Sequence, residues 1–166
     1  MAFRIFRKKK NNINLDIFAP VNGNIIPITE VPDPVFSEKM MGEGVAFIPA
    51  DGMFRSPING KVVQVFPTHH AIGLVTDCGT EILIHIGLET VALEGKGFSM
   101  KVEEGDEVTV GQLLVEVELD YIEKHASSTI TPMVITNSIN SNKAYTITED
   151  TEGSAGETLA ITVSAN

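Results

Sequence analysis

Residues 79–90 read GTEILIHIGLET, and the alternation in this stretch decides the fold class. Ile82, Ile84, Ile86 and Leu88 share one parity; Glu81, Leu83, His85 and Gly87 share the other. Residues of opposite parity leave a strand on opposite faces. The stretch is therefore read as a strand whose isoleucine face turns to a core. His85 stands on the second face, between a leucine and a glycine. An imidazole displayed on a stiff element is a candidate reactive group. A half-buried histidine satisfied by a carbonyl is the commoner finding for one such strand, so the rest of the chain has to decide.

Immediately upstream, Ala71–Asp77 reads as a second strand, and Cys78-Gly79 as the turn that makes the two a hairpin. That pairing brings His70 near His85. His70, Ile72 and Leu74 share a parity, joined by Thr68 if the extension continues backwards, and His69 faces the other way. Farther out, Ala19-Pro20-Val21-Asn22-Gly23 and Ser56-Pro57-Ile58-Asn59-Gly60 repeat one pattern, small-Pro-aliphatic-Asn-Gly, at an offset of 37 residues. Each copy leads into a β-rich run, which points to internal duplication. Pro32 and Pro34 predict a rigid loop. Lys101–Glu118 alternates around Gly105 and Gly111, with Val108, Val110, Leu113, Val115 and Val117 as core positions. Leu119–Lys124 is the one predicted helix, of two turns or fewer. The fold expected is all-β: an antiparallel β-sandwich or barrel-sandwich hybrid with internal duplication and at most short helical turns.

A chain of 166 residues, 43% hydrophobic and 20% charged, suits one globular domain. Its expected bounds are 15–166, after a flexible basic tail over 1–14. In that tail Arg4, Arg7 and Lys8–Lys10 interleave with Phe3, Ile5 and Phe6, and a tail this short is marginal as a membrane-surface helix. All 22 acidic residues follow Lys10, against seven basic ones. Such a field repels nucleic acid and attracts a basic protein surface. The single cysteine, Cys78, allows no internal disulfide. No run approaches the ~18 apolar residues of a membrane span, and no secretory signal is visible. The expected location is the cytoplasm.

Three chemistries compete for His70 and His85. Two imidazoles are half of a zinc site, with Asp77 as a third ligand by proximity, but position 87 is Gly where a His-x-His pair would need histidine. A swinging-arm carrier is suggested by Lys101–Glu118, with Lys39-Met40-Met41 as an echo of a tethering-lysine site, yet the chain is about twice the length of such a domain and the lysine precedes the matching strands instead of dividing them. The third is phosphoryl transfer on histidine. A neutral imidazole is a good nucleophile at pH 7 and leaves readily, so its phosphoramidate is a transferable intermediate. Such a site needs an exposed nitrogen, a second group to hold the phosphoryl oxygens, and apolar surroundings.

Several motifs occur in one order: Pro32-Asp33-Pro34-Val35-Phe36, Lys39-Met40-Met41-Gly42-Glu43-Gly44, Ser56-Pro57 with Gly60, Phe66 through Thr68 to His70-Ala71, and Leu83-Ile84-His85-Ile86-Gly87. Over residues 17–163 the chain resembles the glucose-type enzyme IIA of the bacterial sugar phosphotransferase system. The resemblance implies that a phosphoryl group passes from phospho-HPr to a histidine, and then to a cysteine on the IIB domain of a sugar permease. It implies that His85 is phosphorylated at Nε2, with Nδ1–H held by a carbonyl such as that of Gly87. It implies that His70 binds the phosphoryl group and that Thr68 is bonded to His70. Val35, Phe36, Phe66, Leu83 and Val91 match the apolar ring around the site. Asp33 and Glu89 match acidic positions that meet partner arginines, although the family usually has Asp where Glu89 stands. His69, His125 and Cys78 receive no role. No resident cofactor or metal is expected; zinc at His70 and His85 would need a carboxylate from a partner. Regulated metabolic enzymes or transporters are a further class of partner, nucleic acid is none, and membrane contact would come through the permease.

Overall fold

A computed structural model of the protein describes residues 14–164. Most of the tail, 1–13, lies outside the described residues. Eight strands form one sheet, in the order β13 (Glu152–Gly153), β2 (Gly23–Pro27), β3 (Glu43–Pro49), β11 (Thr131–Ile135), β7 (Glu81–His85), β6 (Ala71–Thr76), β5 (Gly60–Val65), β9 (Glu107–Val108). Two three-stranded sheets accompany it. One runs β1 (Leu15–Phe18), β14 (Leu159–Ser164), β12 (Ala144–Ile147); the other runs β4 (Met53–Arg55), β10 (Leu113–Val117), β8 (Phe98–Met100). All the strand pairs are antiparallel. The sheets do not close into a barrel. Among the described residues, helical structure is limited to α1 (Pro34–Ser37), α2 (Leu119–His125) and two 3-10 turns, Ile28–Glu30 and Thr90–Leu93.

The repeated pentapeptide marks a pseudo-two-fold axis. Phe18 N–H donates to the Pro57 carbonyl at 2.9 Å, and Arg55 N–H returns the bond to the Pro20 carbonyl at 2.7 Å. The two asparagine side chains also do equivalent work. Asn22 Oδ1 accepts from Ala155 N–H, and Asn59 Oδ1 accepts from Val110 N–H, each at 2.8 Å. Gly23 and Gly60 open β2 and β5, whose partners Pro49 and Thr76 lie at equivalent points of β3 and β6. Carried inward, this equivalence places the axis at the Ile84–Met133 pair of β7 and β11. The eight-stranded order is accordingly a palindrome, and the two small sheets are each other's images.

A main core lies between the large sheet and the small ones, containing Ile82, Ile84, Ile86, Phe47, Phe54 and Leu114. A second cluster covers the other face of the large sheet: Ile28, Val31, Phe36, Ala46, Ala71, Leu83, Leu88 and Val134. Both faces of β7 are thus apolar at its centre, and its interior is buried on both sides.

Three local expectations are corrected. Pro32 and Pro34 do not exclude a helix, because Pro34 occupies the first turn of α1, where its missing N–H costs nothing. Asp33 caps that turn by accepting from Val35 N–H at 3.0 Å. In β10 the register shifts between Leu113 and Val115. This bulge buries Leu114 completely and leaves Leu113 only half-buried, against the alternation read from sequence, and Val110, in the loop before β10, is half-buried as well. Leu88 belongs to the second cluster and not to the isoleucine face, for a reason that lies in the site.

Candidate functional site

β6 and β7 pair with Ala71 opposite His85. Directly opposed residues share a face, so the small Ala71 leaves room beside the imidazole. His70 precedes β6 by one residue, and His69 before it has φ 59. The parity that sends Ile72 and Leu74 into the main core therefore does not govern His70. Its ring lies against His85, with centroids 4.9 Å apart and the planes near perpendicular. Its carbonyl still accepts from Ile86 N–H at 2.7 Å, which prolongs the ladder to the end of β7.

The chain then turns sharply. Gly87 has φ 76, a left-handed conformation that L side chains rarely adopt. The turn breaks the alternation, and Leu88 crosses to the second cluster. The Gly87 carbonyl accepts from His85 Nδ1–H at 2.9 Å. A carbonyl can only accept, so the proton is on Nδ1 and the lone pair on Nε2. On the other ring, Thr68 Oγ1 lies 2.5 Å from His70 Nδ1.

Aromatic walls hold both rings. Phe36 lies 5.2 Å from His85 between centroids, and Phe66 lies 5.6 Å from His70. Burial, aided by the adjacent His85, pushes the His70 pKa from 6.5 down to about 4. Burial also lowers His85, against the raising influence of the Gly87 carbonyl and the Asp33 carboxylate. Both imidazoles are neutral at pH 7. The arrangement presents one ring nitrogen with a free lone pair beside a second neutral ring, in apolar surroundings.

The apolar ring divides by exposure. Phe36 and Leu83 are buried in the second cluster, at 4% and 7% exposed, and offer little accessible area; Phe36 also lies against the His85 ring. Phe66 is half-buried, while Val35 and Val91 stand 39% and 55% exposed. Met40, not placed in the apolar ring from sequence, is 62% exposed beside Met41, which packs on the second cluster. Asp33 is half-buried at the α1 cap, and Glu89 is exposed with φ 60 just before the Thr90–Leu93 turn.

The residues set aside from sequence lie elsewhere in the contact pattern. His125 is exposed and stacks on Tyr121 at 4.2 Å. Asp77 and Cys78 are in the β6–β7 turn, at the opposite end of that hairpin from His70. Among the described residues no group of three His, Cys, Asp or Glu side chains gathers to hold a metal, so Asp77 does not join the histidine pair. Sequence reasoning missed Thr90. It is fully buried, and its hydroxyl donates to the Ile86 carbonyl at 2.7 Å. A threonine just after an alternating strand gives no signal of that kind.

Comparisons with known proteins agree with this geometry. A family model described as phosphoenolpyruvate-dependent sugar phosphotransferase system, EIIA 1, matches residues 15–141. Among solved structures, the chain is similar to glucose permease IIA from Mycoplasma capricolum. The two are 43% identical with a TM-score of 0.85, over 90% of this chain and 96% of that one.

Proposed function

This chain belongs to the EIIA 1 family of the phosphoenolpyruvate-dependent sugar phosphotransferase system, and from that membership we propose that His85 is its phosphoryl acceptor. The family relation makes it a glucose-type IIA protein, with a part in phosphoryl transfer during sugar uptake. The donor is phospho-HPr and the onward acceptor a cysteine of a permease IIB domain, both meeting this chain in the cytoplasm.

The observation that carries the reading is the bond from His85 Nδ1–H to the Gly87 carbonyl, made beside His70. It leaves His85 Nε2 as the nucleophile. Attack by Nε2 on phosphorus forms one N–P bond while the donor's N–P bond breaks, and the Nδ1 proton stays where it is. No base is required, because the attacking nitrogen carries no proton. Thr68 Oγ1 and His70 Nδ1 share a hydrogen bond; with the hydroxyl as its donor, the ring's one proton sits on His70 Nε2, where it can donate to a phosphoryl oxygen. The two rings thus take complementary tautomers, one to attack and one to hold. In the onward step the cysteine sulfur attacks phosphorus, the S–P bond forms, and the electron pair returns to Nε2.

Val35 and Val91 supply exposed apolar area for brief docking, with Asp33 and Glu89 meeting cationic side chains of the partners. Zinc would bind His70 and His85 only where a partner adds a carboxylate.

The test uses enzyme I, HPr and labelled phosphoenolpyruvate. Wild type takes up acid-labile, base-stable label; His85→Gln takes up none. His70→Gln is labelled but passes the group on slowly. Labelling of His85→Gln equal to wild type would falsify the assignment.

A further inference from the structure

The tautomer that makes His85 Nε2 a nucleophile depends on where one carbonyl points. That carbonyl belongs to Gly87, the residue with the fewest steric limits in the turn. Two peptide planes flank it, and each is tied by a bond. The Gly87–Leu88 plane is fixed by Leu88 N–H, which donates to the Ser128 carbonyl at 2.9 Å. A trans peptide points its C=O opposite to its N–H, so this bond turns the Gly87 carbonyl away from Ser128. The Ile86–Gly87 plane is fixed at its oxygen, which accepts the Thr90 hydroxyl at 2.7 Å. Ile86 N–H, in the plane before, is tied to His70.

We propose that Thr90 is a positioning residue for His85, acting through the Ile86 carbonyl to aim the Gly87 carbonyl at Nδ1. The side chain is fully buried, and both its ends are used. Its hydroxyl holds the Ile86 oxygen. Its methyl, Cγ2, lies 2.6 Å from where a Cβ on Gly87 would stand, so it closes the space into which the turn could relax. Thr90 also opens the 3-10 turn that follows Glu89, so the same residue joins the site to the segment carrying the exposed Val91. Without the hydroxyl, the Ile86 oxygen is buried and unpaired, and rotating the plane toward another donor relieves that cost. Such a rotation changes φ at Gly87 and leaves the Leu88–Ser128 bond as the remaining tie on the Gly87 carbonyl, which loosens its aim at Nδ1 and frees the ring to take either tautomer. The inference rests on His85 reacting through Nε2.

The experiment compares Thr90→Val, which keeps the shape and loses the donor, with Thr90→Ser, which keeps the donor and loses the methyl. Two quantities are read: the His85 tautomer in the unphosphorylated protein, from proton–nitrogen correlations of the labelled ring, and the initial rate of labelling by phospho-HPr. In Thr90→Val the ring should become a mixture of tautomers and the rate should fall roughly ten- to a hundredfold, the cost of a misplaced reacting group. Thr90→Ser should restore a single tautomer and most of the rate. Thr90→Ala provides a second pairing with Thr90→Ser should Thr90→Val fold poorly. A single Nδ1–H tautomer and a wild-type rate in Thr90→Val, or equal defects in the serine and valine variants, would overturn the inference. Absence of label on wild-type His85 would instead refute the assignment of the acceptor, and the tautomer comparison would still test Thr90.

Discussion

Replacing Gly87 by alanine should damage the fold and the transfer together, by an amount the geometry sets. At φ 76 an L residue carries left-handed strain of about 1–2 kcal/mol. The new Cβ would also meet Thr90 Cγ2 at 2.6 Å and the Ser128 carbonyl oxygen at 2.9 Å, closer than real Cβ contacts come. Overpacking of this kind costs about 1–3 kcal/mol, and the backbone oxygen cannot turn aside as a flexible side chain would. The total is about 2–5 kcal/mol. Gly79→Ala is the matched comparison. Its φ is 91, but nothing lies within 4 Å of its added Cβ, so it carries the strain alone. Urea unfolding of both variants gives the difference, and labelling by phospho-HPr gives the functional consequence. Gly87→Ala should be the less stable by at least about 1 kcal/mol and should transfer slowly, because its carbonyl moves off His85 Nδ1. Gly79→Ala should transfer at the wild-type rate. If the two variants were equally stable and equally active, the account of the turn would be wrong.

Two further outcomes are expected. His70 binds its proton near pH 4 in the folded protein and near 6.5 in the unfolded chain, so between those values the unfolded state holds more protons. Stability from this group is complete above pH 6.5 and falls by up to about 3 kcal/mol as pH drops to 4. Burial of His85 adds a loss of the same sign. Urea midpoints at pH 7 and pH 4.5 should lie further apart in wild type than in His70→Gln; an identical gap in the two would remove His70 as the cause. In β10, Leu114→Ala should cost about 2–5 kcal/mol and Leu113→Ala only about 1 kcal/mol. The reverse order, measured by the same unfolding, would contradict the bulge.

The fold class was legible because most strands obey a period of two, and β7 shows it clearly until His85. Legibility fails where one residue breaks the period. Gly87 sends Leu88 to the opposite cluster, the bulge in β10 exchanges Leu114 for Leu113, and the left-handed His69 frees His70 from the parity of β6. None of these follows from composition: the bulge depends on β4, distant in sequence, and the other two are single backbone conformations in turns. The duplication was visible in five residues because those carry shared turn chemistry. Its full extent was not, because equivalent strand positions need share only a shape: the axis through Ile84 and Met133 puts Val134 where the other half has His85. The histidine pair could be named from the ordered motifs. Thr90 could not, because its role is a bond to a backbone oxygen four residues away, which leaves no pattern in side chains.

The palindromic sheet gives the protein its own internal standard. A Cβ on Gly60 would strike the Val75 carbonyl oxygen at 2.1 Å, and one on Gly23 would strike the Ile48 carbonyl oxygen at the same 2.1 Å. Both contacts belong to the same joint of the frame, once in the half that leads to His85 and once in the half that leads to Val134. A substitution in the first half reports structural damage and chemical damage mixed together. For Gly60 the counterpart is Gly23, 37 residues earlier, whose strand lies in the half that has Val134 in place of His85, so that a substitution there reports mainly structural damage. Subtracting one from the other separates two effects that in most proteins have to be disentangled by inference.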